Sequence, residues 1–581
     1  MATYWVAFLR AAAITALVLV PGLWWNTWHP TKGKLETALL VVPGILCLAT
    51  LGLLYWRLGP SPSRVFWRGG IGAITFLALD LTRYSFRTKS WQRIFGGGTD
   101  DGAVAIFVWL ALFVQVFAFG VNPLPVAQEF NGGSIVPARM VASPPDHAIP
   151  YRTAVYFFHG KDGVKDSSRY FGTWSIASRG PLAPLAINAL FHLFCVQPND
   201  PPSYERNPWP LGDSGADLAR SFGWVSNAMV VLGAFELMRA LDVSVARRRV
   251  ALAWLALSPV AFINTAFLWP KLFAGYFVLC SAASALRGKY LTAGALTALA
   301  WLSHPIGALF LPTIVVTGLL AIYIENGLNW SGFLRMARST LKFVLSAFLC
   351  MLPWLAFCER LHYRNDFALY LFGDGRGIKP ALTIGSWLAT RWSNLWYTLV
   401  PSAFFLHPEF MRVWLEGPVS QPLRWTVQYA KTLPAELGFS LCIPAYIGLL
   451  LPVRAGSAKA FKYGFLVFGF LLMLIYWGFS DDGLGRNCLE PLTVGAIVLT
   501  ACAVDLARRW MVVLLILLFL ENRWIEFSGF LFETRFSWEV VTPDSLFAFA
   551  MSSFAALIIL ILGFKHVAMR RRTRDDFRIQ V

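Results

Sequence analysis

About fourteen apolar runs, most of them close to the length of a bilayer crossing, recur along the chain and constrain its fold more than any other feature. A membrane helix needs about 20 apolar residues, because lipid offers the backbone no hydrogen-bond partner outside the helix itself. The runs are 6–25, 37–56, 103–121, 218–240, 249–266, 268–286, 289–303, 305–323, 341–358, 437–453, 462–479, 489–506, 509–525 and 545–564. Several are short or broken by proline, notably around Pro270 and Pro305. Breaks of this kind are tolerated where backbone faces protein or a wet cavity instead of lipid. Composition points the same way, with 57% hydrophobic and 14% charged residues against roughly 45–50% and 25% in soluble domains. A disordered chain is excluded, and a soluble enzyme does not fit. The expected fold class is an all-α integral membrane protein with about 14 transmembrane helices.

The 50 Lys and Arg against 32 Asp and Glu leave a net charge of +18. In a polytopic protein this excess marks loops held on the cytoplasmic side, with anionic lipid as a second partner, and it does not call for a nucleic acid. Placing the N-terminus inside and alternating puts most basic connections on that side. These are 57–102 (Arg64, Arg68, Arg83, Arg87, Lys89, Arg93), 241–248 (Arg247, Arg248), the turn at Arg287 and Lys289, 324–340, 454–461, and the tail from Lys565 to Arg574. Both termini are then expected inside. The apolar stretch 69–82 is read as interfacial or re-entrant, since a crossing there would carry the basic run 83–93 outward. Five regions follow: 1–122 with the first spans, 123–217 as a first outer loop, 218–358 as a core with outer turns at 269–271 and 301–305, 359–436 as a second outer loop, and 437–581 with the last spans and a basic tail. Loops as long as these two are uncommon unless functional, and short amphipathic helices lying on the membrane are their expected form.

The first outer loop is dense in polar chemistry. It carries Asp146-His147-Ala148-Ile149-Pro150-Tyr151-Arg152-Thr153-Ala154, and further on Trp174 and Ser178-Arg179-Gly180-Pro181-Leu182. Asp146 precedes a helix-like run, so it suits either a helix cap, worth about 1 kcal/mol, or a general base facing a cavity. Trp269-Pro270-Lys271, Ser303-His304-Pro305 and Asp481-Asp482-Gly483 fall at further outer turns. A lysine at an interface often only snorkels, and a histidine before proline is often a turn residue. Convergence of Arg152, Arg179, Lys271 and His304 beside a carboxylate, on one water-facing surface, suits a phosphorylated lipid better. Asp481 and Asp482 form a second acidic site. The acidic pair Asp100-Asp101, behind three glycines, reads as a polar inner loop and not a phosphate loop, since no G-K-[ST] follows. The eight cysteines lie scattered in apolar runs with no paired spacing and read as buried hydrophobes.

The Asp146-x-x-Ile149-Pro150-x-Arg152-x-Ala154 pattern, the Trp174 to Leu182 segment and the Trp269-Pro270-Lys271 and Leu302-Ser303-His304 turns together resemble bacterial membrane glycosyltransferases of the GT-C class, in the manner of glycosyltransferase family 39. The resemblance spans roughly 103–325. It implies a GT-C-like bundle in a bacterial inner membrane whose active site faces the periplasm. A sugar would pass, with inversion, from a polyprenyl-phosphate donor to a lipid, glycan or protein acceptor. Asp146 would take the acceptor proton, and Arg152, Arg179, Lys271 and His304 would bind the leaving phosphate. No organic cofactor is implied. Members of the class often carry paired acids at the loop position where this chain has Asp146-His147, so a divalent metal is left open. A lipid-linked glycan polymerase or ligase is the alternative, followed by a flippase or transporter that grips the same phosphate.

Overall fold

The computed structural model describes residues 2–28, 35–59, 101–120, 148–161, 180–199, 214–266, 268–360, 439–477, 490–503, 508–533 and 543–578, with short pieces at 80, 129–130, 133–134, 170, 383–386, 388–389 and 392. The described chain is almost wholly helical. In order come α1 (Ala2–Trp28), a 3-10 turn (Thr37–Val41) running into α2 (Val42–Leu58), α3 (Asp101–Gly120), α4 (Ile149–Phe158), α5 (Leu182–Leu193), α6 (Ser214–Ala228), α7 (Val230–Ala240), α8 (Val245–Leu257) and α9 (Pro259–Ala266). There follow α10 (Lys271–Leu286), α11 (Tyr290–Ser303), α12 (Ile306–Asn326), α13 (Trp330–Arg360), α14 (Phe439–Leu450), α15 (Gly456–Ala460), a π segment (Phe461–Val467) continuing as α16 (Phe468–Trp477), α17 (Glu490–Ala503), α18 (Arg508–Glu533) and α19 (Pro543–Arg578). Among the described residues the only strands are the two-residue pair Glu129–Phe130 and Gly133–Ser134.

Seven helices are long and apolar enough to cross a membrane: Trp5–Thr27, Thr37–Leu58, Asp101–Ala118, Ser214–Ala240, Ile306–Asn326, Trp330–Arg360 and Leu546–Phe564. An eighth crossing forms if α8 and α9, bent by 52° at Ser258, count as one. Pro259 explains the bend, because it has no amide hydrogen to continue the ladder and disfavours helix at the residue before it. Shorter apolar helices, α10, α11 and most of α17 among them, fill the interior. The chain is therefore an all-helical membrane protein. Its centre is Ser214–Ala240, whose most apolar window is 100% buried, whereas the 22% value for Trp330–Arg360 marks a helix on the outside of the bundle.

Ion pairs sort the helix ends into two sets. At the basic end Arg287 meets Glu36 at 2.8 Å and also pairs with Glu236, Lys289 meets Glu36 at 2.5 Å, and Asp101 meets Arg248 at 2.5 Å and Arg249 at 3.3 Å. Asp101, expected in a polar loop, is instead a buried first residue of α3 that neutralises two arginines. At the opposite end Phe8 lies 5.9 Å from Phe117, Trp224 Nε1 donates to the Ala266 carbonyl at 3.0 Å, and Trp56 Nε1 donates to the Lys161 carbonyl at 2.9 Å.

Two expectations fail on this arrangement. The 28–36 turn was assigned to the face opposite Arg287 and Lys289, yet Glu36 pairs with both. The N-terminal half of α1 accordingly sits at the opposite end from Arg287. Likewise, 57–102 was assigned to one side, yet Arg57 stacks over Trp56 and Phe357 at the opposite end, while Asp80 accepts from Trp24 Nε1 at 3.3 Å near the basic end. The stretch 69–82, apart from Asp80, and the basic run 83–93 lie outside the described residues, so the interfacial or re-entrant reading of 69–82 stands as an expectation. Residues 60–79 and 81–100 themselves lie outside the described set.

Candidate anion site

Lys271 is the first residue of α10, directly behind Pro270 at the cap position. The turn before it is held by Asn227, whose side chain makes two bonds. Its Nδ2 donates to the Trp269 carbonyl at 2.8 Å, and its Oδ1 accepts from the Phe273 amide at 3.1 Å. Asn227 is fully buried, and α6 packs along α10, so this bracket fixes where the lysine emerges. A cation at a helix N-terminus opposes the helix dipole and is stabilised only if an anion stands beside it.

That anion is Glu490. Its Oε1 lies 3.7 Å from Lys271 Nζ, with side-chain exposures of 6% for the lysine and 0% for the glutamate. Lys271 Nζ also lies 3.8 Å from the centroid of the Trp269 ring, a cation–π distance. Glu490 opens α17, and Pro491 behind it packs toward Gly275 of α10. The N-termini of α10 and α17 thus converge on one buried ion pair, and among the described residues neither oxygen of Glu490 lies within hydrogen-bond distance of a donor. Glu490 was absent from the sequence-based set. Its signal was nonetheless present, as a single acid followed by proline inside the apolar run 489–506.

The other predicted residues are placed as follows. Arg152 is fully buried in α4, which packs on α5 and on the last turn of α2 through Trp56–Phe157 and Phe158–Phe191 ring contacts at 4.0 and 5.9 Å. α4 starts at Ile149 with Ala148 at the cap position, so no capping side chain occupies that position. His304 is buried at the turn between α11 and α12, where its Nδ1 accepts from the Ile306 amide at 3.2 Å. An imidazole held so keeps its proton on Nε2. Gly180, directly after Arg179, packs its backbone on Leu302 and Ser303, where a Cβ would come within 2.0 Å of the Leu302 carbonyl oxygen. Gly180 therefore packs on the turn that carries His304. Arg152, Lys271 and His304 share the end opposite Arg287. Asp146, Arg179, Asp481 and Asp482 lie outside the described residues.

Among the described residues no three His, Cys, Asp or Glu side chains come together as a metal site. A second buried polar cluster lies between α3, α8, α18 and α19. Gln115 Nε2 donates to Asn522 Oδ1 at 2.5 Å, and Asn522 Nδ2 donates to the Leu257 carbonyl at 3.3 Å, where the α8–α9 bend frees it. Arg523 pairs with Glu526 at 2.6 Å, and Ser552 donates to Glu526 at 2.6 Å. Buried charges in a membrane bundle persist only when paired in this way. Comparison with protein-family models, curated proteins and solved structures returns no match for the chain.

Proposed function

We propose that the chain is a membrane glycosyltransferase that moves a sugar from a polyprenyl-phosphate donor to a lipid, glycan or protein acceptor at the outer face of a bacterial inner membrane. The observation that carries this reading is the Lys271–Glu490 site. It is a buried cation at the first residue of α10 beside the first residue of α17, and it suits a phosphate attached to a lipid tail. The seven or eight membrane-length helices among the described residues supply walls for the tail. Helix α4, described from Ile149, and the Gly180 contact lie at the same end. In this reading Asp146 takes the proton from the acceptor hydroxyl while Lys271, Arg152, Arg179 and His304 stabilise the departing phosphate. Asp481 and Asp482 are the second acidic candidates.

Incubating the purified chain with a panel of labelled polyprenyl-phosphate sugars tests it. Release of prenyl phosphate, dependent on an acceptor, is the expected result. Intact donor across the whole panel overturns it. One observation favours the transporter reading instead: the bent α8–α9 pair beside the buried Arg523–Glu526 charges, since broken helices and midplane charges mark transport pathways. Movement of intact donor between leaflets, without sugar release, would identify that activity.

A further inference from the structure

Helix α13 spans 31 residues, about 46 Å at the helical rise, and outruns a hydrocarbon core of about 30 Å. Part of the excess lies at the basic end. There α13 runs beside α11, where the Tyr290 side chain meets Ser339 and a Cβ on Gly294 would fall 2.1 Å from the Phe343 carbonyl oxygen. Because α11 begins at Tyr290, residues 330–338 project past it by about 13 Å. This overhang starts on a fixed turn. Asn329 Oδ1 accepts from the Gly332 amide at 2.7 Å, and Asn329 Nδ2 donates to the Asn326 carbonyl at 3.0 Å.

The overhang has an apolar face and a cationic one. Leu328 is 82% exposed, Trp330 73% and Phe333 56%, and the Trp330 and Phe333 rings stack at 5.6 Å. Arg335, Arg338 and Lys342 are exposed at spacings of three and four, which sets them in one row along the helix. Among the described residues none of the three is in an ion pair, and Glu325, the acid nearest the turn in sequence, holds none of them. Snorkelling explains a single cation near a helix end. It does not explain a row of three beside large rings carried past the core boundary. We propose that residues 328–342 form a docking surface for anionic phospholipid in the leaflet at the basic end. Acyl and glycerol groups cover the rings, and phosphates meet the row of cations. Continuity decides for lipid over an acidic protein. The apolar face runs on without a break into Leu341, Val344, Leu345 and Phe348, all exposed along the part of the helix that crosses the membrane.

Native mass spectrometry of the full-length chain in detergent, titrated with phosphatidylglycerol or phosphatidylcholine, tests the surface by counting bound lipids. Wild type should bind its first phosphatidylglycerol more tightly than phosphatidylcholine, and the difference should shrink as salt screens the charges. One cation near a charged lipid surface is worth about fivefold in association, so Arg338→Gln should weaken phosphatidylglycerol by about that factor. Arg335→Gln, Arg338→Gln and Lys342→Gln together should bring it down to the phosphatidylcholine level. Arg335→Lys with Arg338→Lys keeps the charge and should keep most of the preference. Arg454→Gln with Lys459→Gln removes two exposed cations at the same end, where Gly456 lies against Ile324, and should leave the preference intact. An unchanged preference in the triple variant, or an equal loss in the Arg454 and Lys459 variant, overturns the proposal. So does a wild type that does not distinguish the two lipids, and binding of soluble polyglutamate in place of phosphatidylglycerol would assign the row to an acidic protein instead.

Discussion

Glu36 and Arg287 lie 2.8 Å apart, and this contact puts the turn after α1 at the same end of the bundle as the α10–α11 turn. Glu236 joins the same arginine, and Lys289 joins the same glutamate. Three helical hairpins are thereby tied at their basic ends. The positive-inside rule predicts that this end faces the cytoplasm, which is a proposal that labelling can test.

An epitope placed at each terminus should therefore be read from opposite faces. In right-side-out vesicles, antibody is expected to reach an N-terminal tag without permeabilisation and a C-terminal tag only after it. Detection of both tags under the same condition would contradict the Glu36 pairing and the reversal of α1.

Removing one member of the Arg523–Glu526 pair should unfold the bundle more readily than removing both. Glu526→Gln leaves a buried guanidinium unbalanced, and breaking a buried pair costs about 3–5 kcal/mol. Arg523→Met with Glu526→Leu removes both charges and should recover most of that loss. Thermal unfolding in detergent, arranged as a double-mutant cycle, measures the coupling. Additive losses would mean that the two charges act separately, against the 2.6 Å contact and the shared Ser552.

The contrast between these features shows what a sequence of this kind makes legible. The helices were readable, because a crossing must be locally apolar and leaves its mark in contiguous residues. Positions of the outer turns at Lys271 and His304 were readable for the same reason, as interruptions bounded by proline. Pairing was not. Lys271 and Glu490 lie far apart in the chain, and each alone looks like an interfacial anchor or a helix-start acid. Arg248 looked like a loop charge facing water, and only the fold supplies Asp101 beside it.

Gly180→Ala should damage the site without touching a charged group. A Cβ there would fall 2.0 Å from the Leu302 carbonyl oxygen, and the obstacle is backbone, which cannot rotate away. The loop that carries Arg179 would have to shift relative to His304. A fall in sugar transfer of about tenfold or more is expected from a displacement near 1 Å, together with a lower melting temperature. An Ala variant that matches wild type in both would remove this contact from the argument.

The last prediction concerns Asp146, for which the sequence allowed a cap or a base. Helix α4 now starts at Ile149, and its cap position belongs to Ala148, which has no polar side chain. Asp146 itself lies outside the described residues, so both readings stand. Asp146→Asn separates the two, because Asn caps helices about as well as Asp but cannot take up a proton as a carboxylate does. Loss of a general base costs about 10²–10⁴-fold in rate. The Asn variant is expected to fold, to bind polyprenyl phosphate as wild type does, and to transfer sugar slower by that factor. Asp146→Ala should lose the same rate and no more stability than Asn. If Asn transfers at the wild-type rate while Ala unfolds at lower temperature, Asp146 is structural, and the base is to be sought at Asp481 or Asp482.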